Sequence, residues 1–145
     1  MFALEFAGHA GPVPGSPTER RARTSASSQA WHTSLGPDGV EARLDPLAGG
    51  RAVLESRVER FGDGTFTEDG TIQYGGAGSI AFITVGRGTV GPSPIDGRQV
   101  GGVIWAVTGG DGRFAGARGV ITSNFTVDSE GRVVDHHIAR LYLPT

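Results

Sequence analysis

Residues 105–119 read WAVTGGDGRFAGARG. Trp105–Thr108 is apolar and β-branched, the composition that fits a pleated surface. Gly109, Gly110 and Gly112 then offer positions free to take positive φ, and Phe114 is placed to tuck the turn against the end of a sheet. The stretch ends at the start of a second strand, Val120–Val127, so it reads as a β-hairpin. A glycine loop of the dinucleotide-binding kind needs a helix behind it, and here a strand pattern follows instead.

The same period of two runs outward in both directions. In Gly50–Phe61, Val53, Glu55, Arg57, Glu59 and Phe61 share one face, opposite Ala52, Leu54, Ser56 and Val58. Phe66–Tyr74 alternates Phe66, Ile72 and Tyr74 against Thr65, Thr67, Thr71 and Gln73. Ser79–Val85, Gly102–Thr108, Val120–Val127 and Arg132–Leu143 have strand composition, and Phe2–His9 and Arg21–Thr33 add two more candidate strands. Turn signals stand at the joints, among them Gly62-Asp63-Gly64, Gly75-Gly76 and Asp128-Ser129-Glu130-Gly131. No window shows a helical stripe. Roughly eight or nine short strands with no helix to carry crossovers predict one antiparallel sheet, folded into a sandwich or closed on itself. Closure removes exposed edges, so the expectation is a single all-β domain over residues 1–145, an eight-stranded antiparallel β-barrel.

Composition narrows the function classes. The chain has 25 glycines among 145 residues, most of them at the joints, and a net charge of -2 without charge blocks, which is no nucleic-acid footprint. Cysteine is absent, which excludes disulfides, thiolate metal sites and a cysteine nucleophile. All 13 cationic residues are arginine, so a lysine Schiff base is excluded as well. The opening residues lack a basic region ahead of an apolar run, and no stretch is long and apolar enough to cross a bilayer as a helix. The expectation is a cytoplasmic protein without membrane or nucleic-acid partners.

The Trp105–Gly119 stretch resembles the hairpin of the allene oxide cyclases, an apolar strand followed by T-G-G-x-G-x-F, a small residue, an apolar or Arg position and Gly. Dirigent proteins carry a related G-G-T-G-x-F-x-x-A-R-G. Gly75–Thr89 and Gly97–Val107 sit where that family places its preceding strands, and the resemblance covers residues 50–143. It implies a calycin-like barrel, usually oligomeric and here expected as a homodimer. Bacterial members resemble polyketide tailoring cyclases, including spirotetronate cyclases that close a ring by an intramolecular [4+2] cycloaddition. The polar water-holding residues of the plant enzyme, near its amino-terminal strand, fall outside the part of the chain that carries the resemblance and are not matched to positions here. Fold markers carry function only by analogy.

The resulting expectation is a cofactor-independent cyclase of bacterial secondary metabolism that folds a small hydrophobic substrate inside a barrel cavity. Trp105, Tyr74 and Phe125 would stack on the substrate, Phe82 would shape the cavity, and Asn124 would offer an amide to a carbonyl. Glu55, His137 or Tyr142 would be the polar handle. Glu55 shares its face with Arg57 and Glu59. Facing inward it is a candidate general base, and facing outward it belongs to a solvated charge stripe, the reading that Ala52, Leu54 and Val58 favour. His136 and His137 are adjacent on a strand and point to opposite faces, which argues against a shared metal and predicts none. The alternatives are a non-catalytic lipocalin-like or dirigent-like binding barrel, and an acid-base hydrolase or dehydratase on the same fold.

Overall fold

The computed structural model describes residues 1–145 and contains nine strands. They are β1 (Phe2–Pro12), β2 (Glu19–Gly36), β3 (Gly39–Arg60), β4 (Thr65–Tyr74), β5 (Ser79–Thr84), β6 (Gly88–Pro92), β7 (Arg98–Gly110), β8 (Arg118–Asp128) and β9 (Arg132–Tyr142). All pairings are antiparallel. The order β3-β2-β1-β9-β8-β7-β5-β4 returns to β3 through a β3–β4 pairing, so the sheet closes in a ring. β5 and β6 share one position in that ring, each pairing with β4 and β7 along a different length.

Alternation decides which side chains enter the ring. Phe6, Leu54, Phe66, Ile72, Ile80, Phe82, Val103, Trp105, Val107, Ile121 and Ala139 form the core, all inward and all buried. At its centre Phe82 lies 4.3 Å from Trp105, Phe6 stacks on His137 at 4.3 Å, and Trp105 meets His137 edge-on at 5.0 Å. Aromatic pairs of this kind add about 0.5–1.5 kcal/mol beyond their area.

Two glycines are set by close approach. A Cβ on Gly101 would strike the Thr89 carbonyl and the Phe125 ring, and one on Gly88 would strike the Phe66 ring. Phe66 and Phe125 therefore lie directly over backbone, 5.8 Å apart and edge to face.

The Trp105–Gly119 stretch is a strand, a turn and a strand, with one 3-10 turn at Gly112–Phe114. Only Gly112 of the three expected glycines has positive φ, at +55°; Gly109 and Gly110 lie inside β7.

β2 and β3 run past the ring as a hairpin arm. Their pairing continues through Gln29↔Pro46 to Gly36↔Gly39 around a two-residue turn, after a register shift between Ser27 and Gln29. At the shift the Gln29 amide accepts a hydrogen bond from Glu5 N (2.8 Å) and donates one to Glu5 O (3.2 Å). The side chain thereby stands in for the strand that has peeled away. No helix of the protein is long and apolar enough to cross a membrane.

Candidate functional site

Of six buried polar side chains that enter the ring, Thr24 on β2 stands apart, and the other five are Ser56 on β3, Glu68 on β4, Ser123 on β8, and Asp135 and His137 on β9. Buried polar groups cost several kcal/mol unless hydrogen-bonded, and these are arranged in two clusters. In the first, Ser56 Oγ donates to Glu68 Oε1 at 2.5 Å. The Glu68 backbone is pinned by Thr84, whose hydroxyl accepts from Glu68 N (2.7 Å) and donates to Glu68 O (2.8 Å) just where β5 ends. In the second, Ser123 Oγ donates to both Asp135 oxygens (2.8 and 2.9 Å), and His137 Nε2 lies 2.8 Å from Asp135 Oδ2.

The two carboxyls occupy different environments. Burial pushes the Glu68 carboxyl up to about 8; the Ser56 hydrogen bond opposes this, and the negative charges of Asp135 and Asp69 add to it. Glu68 therefore carries its proton at neutral pH. The Trp105 indole N–H has no hydrogen-bond partner, although it lies near enough to Glu68 to favour its ionised form. Asp135 accepts from Ser123 and faces His137, whose other ring nitrogen, Nδ1, has no partner in the protein.

Glu68 and Asp135 line one cavity of about 70 Å³. Leu54, Val58, Phe66, Val90, Phe125 and Val127 make its apolar wall, Thr24 adds a hydroxyl without a hydrogen-bond partner, and Arg20 and Arg60 sit at the rim. At the other end a shallower groove of about 360 Å³ is bordered by Leu4, Ala26, Ala52, Tyr74 and the backbone of Gly75–Ala77. Burial raises the Tyr74 phenol, which stays protonated and has no hydrogen-bond partner. The smaller cavity is the candidate site because both carboxyls reach it.

The expected site residues separate into two groups. His137, Trp105, Phe82, Phe125 and Tyr74 face inward, but the structure does not gather them around one space. Phe125 lines the cavity and Tyr74 the opposite groove, while Trp105, Phe82 and His137 are packed between the ends as core. Glu55, Asn124 and Tyr142 point outward and are withdrawn from the interior. Glu55 forms an ion pair with Arg23 at 2.9 Å, both side chains more than 60% exposed, because Ala52, Leu54 and Ser56 claim the inner face of β3. Asn124 is exposed because Ser123 takes the inward position beside it, and Tyr142 is 63% exposed because β9 turns Asp135, His137 and Ala139 inward. His136 points away from His137 and meets Glu5 at 2.8 Å on the outside.

Sequence reasoning missed Glu68, Asp135, Ser56 and Ser123. The signal was available: Glu68 is in phase with Phe66 and Ile72, and Asp135 is in phase with His137. No protein-family model, no curated protein and no solved structure matches the chain.

Proposed function

We propose that the ring interior is the reaction chamber of a small enzyme that closes or isomerises a ring in an apolar natural-product intermediate, by a [4+2] cycloaddition or a related step. The observation that carries this reading is the pair of carboxyls in one mostly apolar cavity, with Glu68 held protonated and Asp135 hydrogen-bonded by Ser123. Two carboxyls in unlike environments are the usual basis for dividing acid and base roles between them. Glu68 donates a hydrogen bond or a proton to a substrate carbonyl, drawing electron density toward it. A [4+2] closure releases no proton and uses only the hydrogen bond from Glu68; in a related closure that breaks a C–H or O–H bond as the ring bond forms, Asp135, oriented by Ser123 and His137, takes the proton. The apolar wall excludes water and holds a flexible substrate in a reactive fold, which is where most of the acceleration of an intramolecular reaction arises.

On this reading the ring is the calycin-like barrel of the allene oxide cyclase type, and the chemistry uses the chain's own side chains. A homodimer in the cytoplasm fits the same proposal, supported by the apolar residues Ile104, Val120 and Ile138 exposed on neighbouring strands of the outer face. A pure carrier would share the cavity but would have no use for a protonated carboxyl at its wall.

The test compares the metabolites of the native organism with those of a strain lacking the gene, complemented by wild type, Glu68→Gln or Glu55→Gln. Loss of the gene is expected to leave an uncyclised precursor. Glu55→Gln should restore the product fully, whereas Glu68→Gln should slow its formation about 100-fold, the low end for general acid catalysis. Full restoration by Glu68→Gln overturns the acid role, and product formed at an unchanged rate without the gene overturns catalysis altogether.

A further inference from the structure

The rim of the cavity holds a feature the carboxyl chemistry does not use. Six arginines form ion pairs, namely Arg21, Arg23, Arg43, Arg57, Arg87 and Arg132, and all six lie on the outer face, in the arm or in an exposed turn. Arg20 on β2 and Arg60 on β3 are on the inward phase of their strands, half-buried, and neither meets a carboxylate. Arg20 has one side-chain hydrogen bond, from Nη2 to the Ala10 carbonyl at 3.1 Å. Their strands are paired neighbours, with Arg20 opposite Val58, and both side chains line the same cavity. Burial, and then the charge of Arg20, hold the Arg60 guanidinium below its ordinary range.

Two like charges brought together at the entrance of an apolar cavity cost free energy unless an anion joins them. Neither cavity carboxyl supplies that anion: Glu68 is protonated at neutral pH and bonds to Ser56, and Asp135 is engaged by Ser123 and His137 and forms no ion pair with either arginine.

We propose that Arg20 and Arg60 form an anion clamp at the cavity mouth, and that the molecule taken into the ring bears a carboxylate head group on an apolar body. This rests on the cavity reading above and names the substrate class for it. A carboxylate fits better than a phosphate because the rim offers guanidinium forks and few free backbone donors. Arg60 N donates to Thr18 O, Ala10 N to Gly131 O and Val90 N to Gly64 O, so no nest of free N–H groups remains there to cradle a phosphate. Guanidinium forks match the planar, two-oxygen geometry of a carboxylate. With the head group held at the rim, the apolar body extends past Val58, Phe66 and Phe125 toward Glu68, which sets the distance between the substrate's acid end and its reacting atoms.

Octanoate and 1-octanol, equal in chain length and different in head group, serve as probes by titration calorimetry on the full chain, with Arg20→Gln and Arg60→Gln alongside wild type. Wild type is expected to bind octanoate at least about 10-fold more tightly than octanol, with the preference falling toward unity in each variant and in high salt. Melting temperatures confirm that both variants fold. Arg60→Gln is expected to match or exceed wild type because one of two neighbouring cations is gone, and Arg20→Gln to stay close to it, since it also loses the bond to Ala10 O. Equal binding of the two probes to wild type, or a preference that survives both substitutions, overturns the clamp and leaves the apolar chamber standing. Binding of neither probe overturns the clamp and the chamber together.

Discussion

The two ends of the ring are built by opposite means. At one end Phe2, Tyr74 and Phe114 pack ring against ring, at 5.4 and 5.3 Å between neighbours. At the other, Phe66 and Phe125 lie flat over Gly88 and Gly101, and the entrance is left to Arg20 and Arg60. Edge-on and tilted aromatic contacts at the first end lie beside the Tyr74 groove. The second end gains depth from the same residue type, because each ring occupies space that a glycine has vacated. Between them the Trp105, Phe82, His137 and Phe6 layer separates that groove from the cavity lined by Glu68 and Asp135.

The contrast is most sharply tested at Glu68. Its carboxyl is raised from an unfolded value near 4.5 to about 8. Below pH 4.5 both states hold the proton and the group is neutral in the balance. As pH rises from 4.5 to about 8 the unfolded chain ionises first, so stability falls across that window and levels off above it. Each pH unit that the window spans costs about 1.4 kcal/mol, so the loss reaches at most about 5 kcal/mol. Glu68→Gln should flatten this dependence, measured by urea unfolding at pH 5, 7 and 9. A wild-type profile as flat as the variant's would mean that the chamber wall carries no protonated acid.

Trp105→Ala removes the layer between the ends and is expected to cost about 3–5 kcal/mol in the same assay, as large-to-small changes in cores do. A cost under about 1 kcal/mol would show that the two ends are not divided by this layer.

Gly101→Ala acts on the open end alone. Its Cβ would meet the Thr89 carbonyl and the Phe125 ring, so a cost of about 1–3 kcal/mol is expected, together with loss of octanoate binding as Phe125 is pushed into the chamber. Unchanged stability and binding would show that the glycine seat under Phe125 is dispensable.

The smallest effect belongs to the outer face. Glu55→Gln breaks an exposed ion pair and should change stability by no more than about 0.5 kcal/mol, in melts at low and high salt alike. A change above about 1 kcal/mol would contradict the outward placement of that residue.

The ring was legible because burying one face of a strand forces a period of two, and Leu54, Phe66, Ile72 and Trp105 display that period plainly. The arm was not, because neither of its faces is buried: Leu35 is 82% exposed and Val40 69%, and nothing there selects for alternation. β6 escaped notice for a different reason, being five residues that include two glycines and a proline. The face of each candidate was readable only where its neighbours were clearly apolar. That worked for the inner face of β3, whose Ala52, Leu54 and Val58 favoured an outward Glu55. It did not separate the faces of β9, where Val133 and Asp135 on one side look no more apolar than Val134 and Ile138 on the other. Glu68 and Asp135 were passed over because a charged residue within an inward series reads as a break in the pattern, when here it is the content of the site.

Closure between β1 and β9 also orders events in time. Phe2 pairs with Ala139 and Phe6 with Asp135, so β1 waits for β9, the latest of the nine strands in sequence, before it has a second neighbour. Contacts this distant in sequence are slow to form. Asp135 and His137 both reside on β9, so the Asp135 wall of the chamber and the closing stave of the ring arrive together. During synthesis the protein has no half-built chamber: until the ninth strand is in place there is neither a sealed interior nor an Asp135 within it.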